Sequence, residues 1–229
     1  MLHRTPALKS FRWIIRPTTA LDGRPIDTLS RGAEMNMETG VQTLPYILGR
    51  QMQMAWVVAD LDRALSYWTS ELNVGPFVVF EGSIGNRRVL HRGEATGFDM
   101  SLAFSYLGDM QIELVTPMND EPSPYREFLS SGRQGLHHLG FWPEDFEGAC
   151  RAVEKVGFTE ACSIYQPDGA VSASYYDAPD HFGTMVELVP MTSQRRQYFG
   201  RIRSLVENWD GADPIRKFAS REEFLASVD

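Results

Sequence analysis

The chain repeats itself, and that repeat constrains its fold more than any other feature. An apolar run, Gln53-Met54-Ala55-Trp56-Val57-Val58, is followed by Asp60, seven residues after Gln53. A second run, from Gly135 through His137, His138 and Phe141 to Trp142, is followed by Asp145, seven residues after His138. Behind each Asp the apolar residues recur at i, i+3, i+4 and i+7. They are Leu61, Ala64, Leu65 and Trp68 in one copy, and Phe146, Ala149, Cys150 and Val153 in the other. That spacing predicts two amphipathic helices, each with an Asp at its N-cap. Each copy also closes on a strand of similar make, 111–117 and 185–190. Self-similarity on this scale marks a duplicated supersecondary unit.

The segments between these landmarks complete each unit. In the first (51–117), strand 53–58 and helix 60–72 precede strands at 77–80 and 88–91, with a turn at 82–85 between them. A hairpin of 100–107 and 110–115 turns at Gly108-Asp109. A linker helix follows within 118–134, with Ser123 as cap and Pro124 at its first position. The second unit (135–192) repeats the order: strand 138–142, helix 145–156 stopped by Gly157, then strands near 161–165, 170–176 and 184–189. The expected fold is α+β. Two tandem βαβββ modules within residues 48–192 form a curved, barrel-like mixed sheet around an open metal-binding cleft. Residues 1–47 read as an irregular arm, in which Phe11 to Ile15 is the one strand candidate. Residues 193–229 read as a helical tail carrying Tyr198, Ile202, Leu205, Val206 and Trp209 at helical spacing, with a further short helix at 221–228.

Charge and composition narrow the partners. A net charge of −8 argues against nucleic acid or an anionic membrane surface as partner. No run approaches the roughly 18 apolar residues of a membrane span, and the N-terminus has no apolar core of a secretory signal. The two cysteines, Cys150 and Cys162, give no disulfide framework, and Cys150 lies on the apolar face of its helix. A reduced, cytoplasmic setting and a small-molecule substrate are expected. The apolar face of the tail helix offers an interface for a homodimer.

The chemistry is expected where the repeat places polar groups at matched positions. Side chains alternate across a strand, so Gln111, Glu113 and Val115 share one face, as do Met185, Glu187 and Val189. Each closing strand thus carries one carboxylate among apolar residues, and an unpaired carboxylate is costly to bury. Gln53 and His138 hold equivalent places in the two opening strands. Taken singly, each has an ordinary explanation: Glu113 and Glu187 as solvent-facing acids on a half-exposed sheet, His138 as a satisfied core histidine with His137 as the one that matters, Gln53 as a plain polar residue. Taken together, Gln53, Glu113, His138 and Glu187 would converge if the modules pack about a pseudo-twofold axis. Two carboxylates, one imidazole and one amide oxygen suit a divalent ion. Trp56, Phe80, Tyr106, Tyr175 and Tyr176 could line such a cleft, or simply fill the core.

These residues carry a resemblance. Asp60-Leu61-Asp62-Arg63-Ala64 after an apolar strand resembles the opening of a vicinal oxygen chelate module. So do the stretches from Ile112 to Pro117, from His137 to Phe141, and from Tyr176 to Pro179 ahead of Val186-Glu187-Leu188. The superfamily contains glyoxalase I, methylmalonyl-CoA epimerase, extradiol dioxygenases and bleomycin-resistance proteins. The resemblance spans about 51–191 and implies metal ligands at Gln53, Glu113, His138 and Glu187, a set that some glyoxalase I enzymes use. It implies a Zn, Ni, Co, Mn or Fe ion and a lyase or isomerase reaction, with Glu187 or Glu113 as the base that removes a proton next to a carbonyl or thioester. The segment from Ser123 to Leu129 is closer to the epimerase, whose second acid aligns near Gly97, with Glu94 nearby. Extradiol-type oxygen chemistry needs two histidines and one carboxylate, and Gln53 stands at the first of those places. A metal-free binding or resistance-type protein of the same fold is the alternative.

Overall fold

A computed structural model of the protein describes residues 47–49 and 51–227. The irregular arm and its strand candidate at Phe11 to Ile15 lie outside the described residues, apart from Ile47. The elements run β1 (Gln51–Val57), α1 (Leu61–Ser70), β2 (Phe77–Phe80), β3 (Arg88–His91), β4 (Glu94–Thr96), β5 (Met100–Leu107) and β6 (Met110–Pro117). Then come α2 (Pro124–Ser130), β7 (Gly135–Phe141), α3 (Phe146–Lys155), β8 (Thr159–Tyr165), β9 (Val171–Asp177) and β10 (Met185–Leu188). The chain ends with α4 (Ser193–Glu207), β11 (Ile215–Phe218) and α5 (Arg221–Ala226).

The strands form one large, curved, unclosed mixed sheet in the order β11-β2-β5-β6-β1-β7-β10-β9-β8-β3-β4. Its centre shows the duplication. Strand β1 lies parallel to β6, β7 lies parallel to β10, and β1 and β7 meet antiparallel. Both repeat helices begin as their Asp residues dictate. Asp60 accepts from the Arg63 N–H and Asp145 from the Gly148 N–H, each at 2.9 Å. The α1 stripe covers Phe77, Val79, Ile112 and Leu114. The α3 stripe covers Val186, Leu188 and Tyr176, with Leu48 added from the preceding segment. In the closing strands, then, the residues between the carboxylates face the helices, leaving Glu113 and Glu187 on the opposite face.

That opposite face is filled from the C-terminal side. Tyr198, Phe199 and Ile202 of α4 and Phe224 of α5 join Phe80, Phe104, Val115 and Val189 in one cluster. Trp142 stacks on Phe199 with centroids 5.0 Å apart. Strand β2 is buried on both faces, Phe77 and Val79 against α1 and Val78 and Phe80 against the C-terminal helices. Strand β11 covers its outer edge in parallel register, Ile215 with Phe77 through Phe218 with Phe80. The tail is therefore not wholly helical as expected: it returns to the sheet as a strand before ending in α5. Strand β4 was also not expected. Its three residues pair with β3 after the turn at Arg92 and Gly93, both at positive φ.

Candidate metal centre

The four matched residues come from four adjacent strands, β6, β1, β7 and β10. Pairing sets them in two crossed rows. Glu113 and His138 flank Ala55 across β6, β1 and β7, while Gln53 and Glu187 flank Gly140 across β1, β7 and β10. The middle residue of each row is small, so the longer side chains on either side can lean together. At Gly140 the fit is tight: a Cβ there would lie 2.6 Å from Gln53 Oε1. Exposure is 3% for Gln53, 4% for Glu113, 0% for His138 and 6% for Glu187, so none of them is a solvent-facing surface group.

The structure brings Glu113, His138 and Glu187 together, one ligand atom from each lying within 4.8 Å of the others. His138 Nε2 is 3.3 Å from Glu113 Oε2 and 3.5 Å from Glu187 Oε2. Gln53, Glu113 and Glu187 line one small chamber of about 40 Å³. Neighbouring groups fix the aim of two of these side chains. Gln53 Nε2 donates to Gln111 Oε1, and Gln111 Nε2 donates in turn to the Tyr106 hydroxyl, each at 2.9 Å. That chain occupies the amide nitrogen of Gln53 and leaves its oxygen over. On His138, Nδ1 sits 3.1 Å from His137 Nδ1, so Nε2 is the nitrogen turned towards the carboxylates. His137 is a supporting residue and has no place in the ligand cluster.

Gln53 Oε1 is buried with no hydrogen-bond partner, and Glu113 Oε2 and His138 Nε2 make no hydrogen bond of good geometry beyond their ion-pair contact with each other at 3.3 Å. A buried polar atom left unpaired costs about 1–3 kcal/mol, more when it is charged, and native folds rarely leave several side by side. The donor set answers to a divalent cation. Two carboxylates supply two negative charges, and amide oxygen with imidazole nitrogen suits first-row metals from Mn to Zn. The residues present therefore fit such an ion.

Burial and mutual contact shift the titrating groups of the centre in different directions. Burial would lower the His138 pKa, yet contact with Glu113 and Glu187 outweighs it and holds the ring up at about 9. Burial raises Glu113 from its ordinary value against the opposing pull of His138, and proximity to Glu187 adds to the rise. Burial would raise Glu187 as well, but His138, Tyr175 and Arg195 together bring it lower. His137, buried and beside His138, falls to about 3 and stays neutral.

The expected aromatic lining is partly corrected. Tyr175 lines the chamber and Phe80 lines its mouth. Trp56 instead packs against Trp68 of α1 at 4.9 Å, and Tyr176 belongs to the cluster beneath α3. Strand alternation already separates Tyr176 from Tyr175, and Trp56 from Ala55. Glu94, near the epimerase-like position, is exposed in β4 and lines neither cavity.

What sequence reading missed is the mouth. The chamber shares Arg87, Ser172, Arg195, Tyr198 and Arg221 with an outer basin of about 710 Å³. These residues come from the loop after β2, from β9, from α4 and from the start of α5. No local pattern joins them in the chain.

Paired modules that set one buried carboxylate each about a twofold strand seam define the vicinal oxygen chelate class of proteins. The chain belongs to the Glyoxalase/Bleomycin resistance protein/Dioxygenase superfamily, whose family model matches residues 52–175. Gln53, Glu113 and His138 fall within that match; Glu187, Arg195 and Arg221 lie beyond it. Among solved structures, a hypothetical protein from Bacillus halodurans is similar at 16% identity, over 63% of this chain and 95% of that chain, with a TM-score of 0.47. The methylmalonyl-CoA epimerase from Mycobacterium tuberculosis is similar at 19% identity, over 62% and 88%, with a TM-score of 0.42. A comparison with curated protein sequences finds no match. No helix among the described residues is long and apolar enough to cross a membrane.

Proposed function

We propose that the protein is a divalent-metal-dependent, glyoxalase-like lyase or isomerase that removes a proton next to a carbonyl or thioester of a small molecule. The observation that carries this reading is the buried convergence of Gln53 Oε1, which has no hydrogen-bond partner, on Glu113 Oε2 and His138 Nε2, whose near partners are only each other and Glu187. Gln53, Glu113, His138 and Glu187 would hold the ion. When bound, it would polarise a substrate oxygen and stabilise the enolate charge that develops on proton loss.

The protein's own groups do the remainder. Glu113 or Glu187 takes the proton, since each ends in the chamber where a substrate carbon would sit. Gln111 and Tyr106 keep the Gln53 oxygen aimed inward, and His137 holds the orientation of His138. Trp142 and Phe199 give the chamber an apolar wall, and Tyr198 stands at its mouth.

A second reading has one observation in its favour. A protonated His138 between two glutamates at 3.3 and 3.5 Å already offsets part of their charge, as a metal-free binding protein of this fold would need. Elemental analysis of the purified chain beside a His138→Ala/Glu187→Gln double variant separates the two. About one divalent ion per chain, lost in the variant, supports the enzyme and directs assays to hemithioacetals and acyl-CoA epimers. A chain that arrives empty and takes up none of Zn, Ni, Co, Mn or Fe removes the metal-dependent mechanism.

A further inference from the structure

The neck between basin and chamber gathers three guanidinium groups. Arg87 Nη1 and Arg195 Nη2 both lie 3.3 Å from the Ser172 hydroxyl. Arg87 Nη2 donates to the Ser83 carbonyl, and Arg221 Nη2 donates to the Ser83 hydroxyl at 2.9 Å. Arg221 is also held over the Phe80 and Tyr198 rings, 5.2 and 5.6 Å from their centroids. The three come from separate elements and close on two serines, so this is a built cluster with defined geometry.

None of the three has a carboxylate within 4.0 Å among the described residues, whereas Arg92, at another cavity, is paired with both Glu127 and Asp177. The acids on the basin rim are taken up elsewhere: Glu81 by Lys217, Glu222 by Gln194, and Asp168 by the Ala170 N–H. Glu113 and Glu187 have His138 as their near partner. Gathering like charges without a counter-charge is unfavourable. Burial, then Arg221 and Arg195, accordingly push the Arg87 guanidinium down to about 10, still cationic at neutral pH. A guanidinium carries five N–H donors. Arg221 spends one on the Ser83 hydroxyl, Arg195 two on the Pro190 carbonyl and Ser172 hydroxyl, and Arg87 three on the Ile84 and Ser83 carbonyls and the Ser172 hydroxyl, so each keeps donors for a ligand. Such a fork fits the paired oxygens of a carboxylate or phosphate.

We propose that Arg87, Arg195 and Arg221 form an oxyanion subsite at the neck, so that the substrate of this centre carries a carboxylate or phosphate group beside the atoms that enter the chamber. The assignment rests on the proposed metal site only for its direction: the anionic group is held at the neck, and the reacting carbon points to Glu113 and Glu187. Arg195 and Arg221 lie C-terminal to the matched family region, while Arg87 lies within it.

The test uses the full chain stripped of metal with chelator, and two probes, inorganic phosphate and propionate, titrated by calorimetry. Saturable binding of either is expected, and the tighter probe tells which oxyanion the substrate carries. Arg87→Gln, Arg195→Gln and Arg221→Gln should each weaken it about tenfold, the loss of one charge-assisted pair. Arg196→Gln, on the exposed side of α4 with its contact to the Met191 carbonyl, should leave it unchanged. Where a glutamine variant does not fold, Arg195→Lys and Arg221→Lys keep the charge, lose the fork and should still weaken binding. No saturable binding of either probe, or equal affinity in the arginine variants, overturns the subsite. Metal content of the same variants should stay at the wild-type value. Because the titration is done without metal, an empty His138/Glu187 centre would leave its outcome readable, and the two readings fail separately.

Discussion

Gly140 and Gln53 face each other across the β1–β7 seam so closely that a Cβ on residue 140 would sit 2.6 Å from Gln53 Oε1 and 2.8 Å from Gln53 Cβ. The backbone there is not glycine-specific, so the requirement is space. Gly140→Ala should displace Gln53 from the centre at a stability cost of about 1–3 kcal/mol, the usual range for overpacking. Metal affinity should fall with the chain still folded. Ion content by elemental analysis and urea unfolding of the same sample check both halves.

Gln111 does not line the chamber, yet through its bond to Gln53 it decides which end of that amide faces inward. Replacing it with Leu keeps the volume and removes the acceptor. Loss of a residue that orients a metal ligand costs roughly 10- to 100-fold in affinity. Competition with a metal-binding dye should show that loss for Gln111→Leu. Unchanged affinity would mean that Gln53 is not a ligand.

Glu127 gives the fold an acid-sensitive brace. Its hydrogen bonds from Arg92, reinforced by His91, hold its carboxyl at about 2, against 4.5 for an ordinary Glu. A carboxyl depressed in the folded state adds stability that is fully present above the unfolded value and is lost as the pH drops towards the folded one. Half-exposed as the group is, the effect is small and weakened by salt. Melting curves between about pH 6 and about pH 3 should show the wild type losing Tm faster than Glu127→Gln, the gap closing at the acid end.

Phe224 is fully buried, edge-on to Phe80 at 6.0 Å and to Phe218 at 5.1 Å. Phe224→Ala should cost about 3–5 kcal/mol, read as a lower urea midpoint. Because Arg221 rides on the same short helix, phosphate binding should weaken along with stability. Metal content measured well below the midpoint should not change.

The parts legible in the sequence are those where burial is periodic. Asp60 and Asp145 announce their helices because a cap and an i, i+3, i+4, i+7 stripe are local signals, and Glu113 and Glu187 stand out because each breaks an apolar strand on one face. Strand β11 left no such mark. Ile215-Arg216-Lys217-Phe218 has no alternation strong enough to register, and it becomes a strand because β2 presents an open edge to pair with. Glu94-Ala95-Thr96 is likewise a strand only by virtue of β3. The arginines of the neck were illegible for a different reason. Arg87, Arg195 and Arg221 are distant in the chain and ordinary in their surroundings, and only the fold makes them neighbours.

The pairing of β11 on β2 has a further consequence. A bare β2, with Phe77, Val78, Val79 and Phe80 all buried in the folded chain, would offer neighbouring molecules an apolar template for growing intermolecular sheets. The strand laid over it is short, follows Pro214 and carries Arg216 and Lys217, the features that discourage further strand addition. Clipping the chain ahead of Ile215 would therefore bare that template and favour self-association, before any question of catalysis arose.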